Sequence, residues 1–292
     1  MTQQDKIVGI IGGTGFYDIP GIAWETEKQI ETPCGRPSGA YKIGRSGDVT
    51  IVFLPRHGSD HSILPSEINH PANIYGMKAL GVEWLMTTSA VGSFQEELAP
   101  RDIVVVDQFV DRTKNGEQQT FFGHGVIAHI GFAHPVCEEL AGHLYSRGKE
   151  VTENIHPAGT YLNMQGPAFS TRAESQLYKS WGMDVIGMTS LAEAKLAREA
   201  ELCYATLAIV TDYDSWQEDL EAVSTTTIIE NFNKAVGTAQ EVVARSLENF
   251  DLPRSCECKD ALKDALFTEV RTLEQSQKEQ LGVILEKYIT NE

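Results

Sequence analysis

No stretch of this chain approaches the ~18 uninterrupted apolar residues of a membrane-spanning helix, so no span is expected. Basic residues are in short supply: 24 Lys and Arg stand against 41 Asp and Glu, a net charge of −17. Nucleic-acid backbones are held by clustered Lys and Arg that release counterions. Neither nucleic acid nor membrane is therefore an expected partner, and any anion must be captured by local groups. Cysteine is sparse and odd in number (Cys34, Cys137, Cys203, Cys256 and Cys258), without the spacing of a disulfide framework. A reducing cytoplasm suits such a set. Residues Met1 to Lys6 have no positive region leading into an apolar run, which predicts no secretory signal.

What is present is ordinary globular material: 292 residues, 41% hydrophobic and 22% charged, enough to bury a substantial core. Short apolar runs recur at Ile7 to Ile11, Val49 to Leu54, Trp84 to Met86, Ile103 to Val106, Gly159 to Met164, Val185 to Met188 and Ala205 to Val210. Each ends in Gly, Pro, Thr or Asp, and each reads as a buried strand. Helical patterns lie between them. One starts at Asn69-His70-Pro71 and stops at Gly81, and capping boxes are expected at Thr171 with Glu174 and at Ser190 with Glu193. The alternation predicts one α/β domain over residues 1–252, with a central mixed β-sheet flanked by helices. Beyond Pro253, the apolar positions Ala261, Leu262, Ala265, Leu266, Val270 and Leu273 keep helical spacing. They predict a helical extension over 253–292, packed on the domain or on a neighbouring subunit.

Ligands of open α/β sheets bind beyond the carboxyl ends of strands, so residues that follow the apolar runs carry the strongest claim to function. Gly12-Gly13-Thr14-Gly15 offers backbone N–H groups and a hydroxyl to an anion. It lacks the third glycine of a dinucleotide fingerprint and the Gly-Lys-Ser/Thr of a Walker loop, and alone it reads as a tight turn. Arg56 presents a fork that matches phosphate, with His57 beside it, although a lone Arg is more often a surface ion pair. His57 and His61 have metal-ligand spacing on a helix, but Gly58 disfavours a helix there and no third ligand is evident. Thr87 to Ser93 is small and polar, either an ordinary loop or a close-approach site with Ser89 as donor. Gly187-Met188-Thr189 leads into a helix whose N-terminus suits an anion, with Thr189 otherwise a cap and Met188 otherwise core. Asp212 and Asp214 either converge on a ligand or are solvated loop acids.

Taken in order, these pieces resemble the purine nucleoside phosphorylase superfamily, and within it most closely the branch that cleaves 5′-methylthioadenosine. The resemblance runs over roughly residues 5–250, through Ile11 to Gly15, Arg56-His57-Gly58, Thr88 to Ser93, Asp107 to Thr113, Gly166 to Ser170, Arg172 to Ser175, Gly187 to Thr189 and Thr211 to Asp214. It implies that Thr14, Arg56, His57, Ser89, Ala90 and Thr189 hold phosphate. Met188 would lie against the ribose, Phe169 would line the pocket, and Asp212 and Asp214 would face the purine. Ser170 and Thr225 would shape specificity, and His129 would reach the 5′-substituent from an adjacent subunit of a homotrimer.

The implied reaction converts 5′-methylthioadenosine and phosphate to adenine and 5-methylthioribose 1-phosphate, with no cofactor and no metal; inorganic phosphate is a co-substrate. A carboxyl at Asp212 could protonate the leaving base, and two carboxyls suit a 6-amino rather than a 6-oxo purine. Two positions depart from the family. Gly187 stands where Asn is common, so one local hydrogen bond is expected to be missing, and Thr225 stands where an apolar residue is expected beside the 5′-group. Cys256 and Cys258 lie outside the matched region and read either as a redox-active pair or, more simply, as two unremarkable thiols. Methylthioinosine, adenosine or another purine nucleoside is the alternative substrate; hydrolysis by water and a non-catalytic nucleotide-binding module are the remaining alternatives.

Overall fold

In the runs that open the chain, apolar residues occupy both strand faces, as a sheet covered on two sides demands. The computed structural model describes residues 6–13, 16, 19–114, 119–217 and 225–289; Thr14 lies outside them, as does the side chain of Thr225. Strand β1 (Ile7–Gly12) turns Val8 and Ile10 into one core and Ile11 into another. Strand β4 (Val49–Pro55) does the same with Phe53 on one side and Leu54 on the other.

The remaining strands among the described residues are β2 (Ala23–Lys28), β3 (Tyr41–Ser46), β5 (Trp84–Ser93), β6 (Ile103–Val105), β7 (Gln108–Arg112), β8 (Ile155–His156), β9 (Thr160–Met164), β10 (Val185–Gly187) and β11 (Cys203–Tyr213). They form one mixed sheet in the order β2-β3-β4-β1-β5-β10-β9-β7, with β11 pairing β5 and β6, and β8 pairing β6. Strands β4, β1, β5 and β11 are mutually parallel, so their carboxyl ends share one edge.

Helices α2 (Glu138–Lys149) and α5 (Thr225–Leu247) cover one face, burying Leu140, Leu144, Ala239 and Val243 with Phe53 and Met86. Helices α1 (His70–Ala79) and α4 (Ser190–Glu199) cover the other, burying Ile74, Met77, Leu196 and Ala197 with Leu54 and Leu85. Asn69 caps α1 by accepting from the Ala72 N–H, and the expected Thr171–Glu174 box opens α3 (Arg172–Ser180). Among the described residues, no helix is long and apolar enough to cross a membrane.

Four expectations change. Thr87 to Ser93 is not a loop but the second half of β5, and β11 likewise runs on to Tyr213. Parallel pairing between these two strands carries both past the end of their apolar runs, and the buried Thr residues favour extended backbone. The Ser190–Glu193 box does not form: Thr189 is the N-cap of α4 and Glu193 points elsewhere. The edge strand β2 and its neighbour β3 have no purely apolar run to announce them; β2 is mostly exposed.

The fourth change is in the C-terminal segment. Its apolar spacing is helical, but residues 257–273 fold as short 3-10 turns at Glu257–Asp260 and Val270–Thr272, and only then come α6 (Gln275–Leu281) and α7 (Glu286–Ile289). The backbone of Phe267 donates to the Ile127 carbonyl at 2.9 Å and Leu266 bridges Ala128, so tertiary pairing overrides local periodicity. Leu262, Ala265, Leu273, Leu281 and Leu285 join the core that holds Ile11 and Leu54.

Candidate active site

The shared edge of β1, β4, β5 and β11 brings most of the sequence-derived residues together. Arg56 follows β4, and its backbone N–H donates to the Gly12 carbonyl at 2.9 Å, fixing the Gly12-Gly13 turn against it. The residue is 1% exposed, so it is no surface ion pair. Its Nε and Nη2 donate to the two carboxylate oxygens of Glu193 at 2.6 and 2.9 Å, and Nη1 donates to the Thr88 carbonyl at 2.7 Å. Among the described residues these bonds take three of the five N–H groups. Burial works against both charges, but the Glu193 carboxylate holds the guanidinium charged. The residue that sequence spacing assigned to a helix cap is therefore the one that orients Arg56.

Burial, and then the Arg56 charge, push His57 down to about 4, so it is neutral at pH 7. Its Nδ1 lies 2.8 Å from the Ile63 carbonyl. A carbonyl only accepts, so Nδ1 carries the proton and Nε2 is left as an acceptor. Residues 56–61 are turn, not helix; the His57 and His61 rings meet at 4.8 Å in a tilted pair.

Ser89 and Thr189 are both buried, while Ala90, in the carboxyl half of β5, is exposed. Between Ser89 and Thr189 stands a residue the sequence did not single out. The Tyr161 hydroxyl lies 3.1 Å from Ser89 Oγ and 3.5 Å from the Thr189 N–H. A Cβ on Gly187 would sit 1.9 Å from that oxygen. The departure at Gly187 thus makes room for Tyr161. Thr189 is the N-cap of α4 yet makes no side-chain cap bond. Instead Asn163 secures the turn, accepting from the Leu191 N–H at 3.1 Å and donating to the Met188 carbonyl at 3.2 Å.

Met188 is half-buried and lines a cavity of about 30 Å³ with Met164, Gln165, Asn163 and His70. Burial, then Arg56 and His57, push His70 down to about 3, so it too is neutral, and its Nδ1 has no hydrogen-bond partner among the described residues.

At the far end of β11 the pairing with β5 slips: Val210 opposes Val91 and Asp212 opposes Gly92, leaving Thr211 as an extra residue. Such a bulge re-aims the side chains that follow it. The freed Thr211 carbonyl accepts from Asn231 Nδ2 of α5 at 2.9 Å. A Cβ on Gly92 would lie 3.6 Å from Asp212 Oδ2 and 3.4 Å from the Asp214 Cβ, so the two acids converge over a glycine. Burial raises Asp212 from 3.8 to about 6, with the Asp214 charge adding to the rise and the Thr211 hydroxyl, 2.5 Å from Oδ1, opposing it. Burial raises Asp214 as well, and its Oδ2 is buried without a hydrogen-bond partner among the described residues. These are not solvated loop acids.

Ser170 is buried against Met164, its Oγ 3.9 Å from the sulfur, whereas Phe169 is 65% exposed. His129 is exposed, edge-on to Phe267 at 5.3 Å, in the segment that pairs with the C-terminal tail.

The phosphorylase superfamily model matches residues 7–248. The S-methyl-5′-thioadenosine phosphorylase of Gloeobacter violaceus is 52% identical, over 99% of this chain and 98% of the relative. That of Geobacter sulfurreducens is 46% identical over 98% and 100% respectively. A methylthioadenosine phosphorylase from an antarctic soil metagenomic library superposes with TM-score 0.89 at 42% identity, covering 97% of this chain and 100% of that one. A variant of the adenosine/methylthioadenosine phosphorylase of Schistosoma mansoni, solved with methylthioadenosine, superposes with TM-score 0.81 at 36% identity, covering 89% and 96%. With the family model spanning the sheet and every helix that builds this edge, the chain belongs to the phosphorylase superfamily.

Proposed function

We propose that this chain uses inorganic phosphate to cleave 5′-methylthioadenosine, giving adenine and 5-methylthioribose 1-phosphate. The observation that carries the reading is the pair of buried, pKa-raised carboxyls over Gly92 on the same strand as Ser89. Three residues of extended chain separate Ser89 from Gly92, about 10 Å, which leaves room for a ribose between an anion and a purine. The full-length relatives and the ligand of the Schistosoma structure point the same way.

The chemistry follows from where charge develops. As the glycosidic bond stretches, the sugar becomes cationic and the base anionic, as in glycoside hydrolysis. Phosphate, held by Thr14, Arg56, Ser89, Ala90 and the N-terminus of α4 at Thr189, stabilises that cation and attacks the anomeric carbon. Neutral His57 accepts a hydrogen bond from the protonated bound anion at Nε2. Asp212, protonated in part near neutrality, delivers a proton to the purine N7. Asp214 offers its unpartnered Oδ2 to the exocyclic amine. A 6-oxo base has no donor there, which disfavours methylthioinosine.

Met188 packs on the ribose, with Phe169, Ser170 and Thr225 around the base and the 5′-group. His129 reaches the 5′-substituent of a neighbouring subunit in a homotrimer; its place beside exposed Phe267 and Ile127 supports a subunit interface there. Cytoplasm is the compartment that suits five free thiols. Because the resemblance implies a polar residue, Thr225, beside the 5′-group, adenosine is the second substrate to test. Adenine release from methylthioadenosine is to be measured with and without phosphate, with adenosine and methylthioinosine in parallel. Release that depends on phosphate and is fastest with the methylthio compound is expected; phosphate-independent release or preference for methylthioinosine would overturn the reading.

A further inference from the structure

Cys256 and Cys258 gain two companions in the fold. Cys137 is the N-cap of α2, its backbone N–H donating to the Tyr204 carbonyl at 2.8 Å, and Cys203 is the first residue of β11. Cys256 caps the short 3-10 turn that contains Cys258. Three separate parts of the chain thus deliver sulfur to one point. The four Sγ atoms all lie within 4.8 Å of one another, with Cys256 Sγ 3.3 Å from that of Cys203 and 3.7 Å from that of Cys137. Cys137, Cys203 and Cys258 are buried and Cys256 is half-buried.

These separations discriminate between fates for the thiols. A disulfide brings two sulfurs to about 2.05 Å. A zinc ion bound tetrahedrally by four thiolates at about 2.3 Å sets sulfur–sulfur edges near 3.8 Å. The observed 3.3 and 3.7 Å contacts fall near that edge. An iron–sulfur cube, by contrast, needs a far larger cage than four sulfurs in mutual contact.

We propose that Cys137, Cys203, Cys256 and Cys258 form a structural tetrathiolate site for one Zn²⁺. Binding releases the thiol protons and leaves a complex of net charge −2. Arg198 Nη1 of α4, 3.6 Å from Cys258 Sγ, offsets part of that charge, and the positive end of α2 faces Cys137. Four protein ligands close the coordination sphere, so the ion has no open position for chemistry. Its role is mechanical: it ties the residues after Pro253 to the root of β11, the strand whose other end carries Asp212. The odd cysteine count is accounted for by Cys34, which stands outside the cluster.

The test is metal analysis of the full chain, purified with a reductant and without chelator. About one zinc per chain is expected. Replacement by Co²⁺ should give the intense visible bands of tetrahedral cobalt thiolate. Cys256→Ser, at the least buried ligand, should lose the zinc and lower the Tm, whereas Cys34→Ser should keep both. If Cys256→Ser fails to fold, the metal content and cobalt spectrum of the unaltered chain still decide. Protein that binds neither Zn²⁺ nor Co²⁺ and titrates as five thiols would overturn the proposal. So would a mass lowered by the hydrogens of one or two disulfides, with no metal bound.

Discussion

Asp212 is the residue on which pH should act. Burial holds its carboxyl at about 6 instead of 3.8, so between those values the folded chain keeps a proton that the unfolded chain has lost. The sign follows: this group costs stability as pH rises through that window, and the cost persists above it. The same shift governs activity if the neutral acid is the proton donor, because kcat/KM should fall as pH rises through about 6. Asp212→Asn keeps the shape but has no acidic proton to give. It should lower kcat by ~10²-fold and flatten that limb in a pH–rate profile of adenine release. An unchanged limb in the variant would assign the titration to another group.

At the scale of elements, the anion pocket depends on how β9 meets the start of α4, and this is where the sequence was least legible. Arg56, Ser89 and Thr189 stand just after or within apolar runs, so a rule about strand ends finds them. Tyr161 and Asn163 are interior residues of β9, indistinguishable in one dimension from core filling. Glu193 sits at the spacing of a capping box, and only the fold reveals that it faces Arg56, 137 positions away in the chain. The two acids were legible as a pair, but the bulge at Thr211 that aims them was not, because it arises from a register shift between β11 and β5.

The β9–α4 contact makes its own prediction. Tyr161 bridges Ser89 and the Thr189 N–H through one hydroxyl, and a typical hydrogen bond contributes about 1 kcal/mol, or roughly fivefold in binding. Tyr161→Phe should therefore raise the KM for phosphate several-fold while leaving the KM for the nucleoside nearly constant. A purely structural role would move both together, or would appear only as a lower Tm.

On the scale of the whole molecule, the attachments of the C-terminal segment include the sulfur cluster, the pairing with Ile127 and Ala128, and Glu201. Glu201 is 3% exposed at the junction of α4 and β11. Its Oε1 accepts from the Leu262 N–H at 3.1 Å and from the Tyr288 hydroxyl at 2.5 Å, Oε2 lies 3.4 Å from Lys287 Nζ, and its carbonyl accepts from Arg254. Residues that sequence periodicity assigned to one or two amphipathic helices are held in turns by this one carboxylate and by the pairing with Ile127 and Ala128. Replacing it removes the acceptor of a fully buried backbone N–H, a loss of about 1–3 kcal/mol. For a chain of this size each kcal/mol shifts the Tm by roughly 2–4 °C, so Glu201→Ala should lower the Tm by several degrees in differential scanning calorimetry. None of its contacts touches Arg56, Tyr161 or Asp212, so kcat/KM measured well below the transition should stay within about twofold of the unaltered chain, a factor worth only ~0.4 kcal/mol of transition-state stabilisation. Loss of activity in step with stability would mean instead that the tail holds the site edge in place as well as covering the core beneath it.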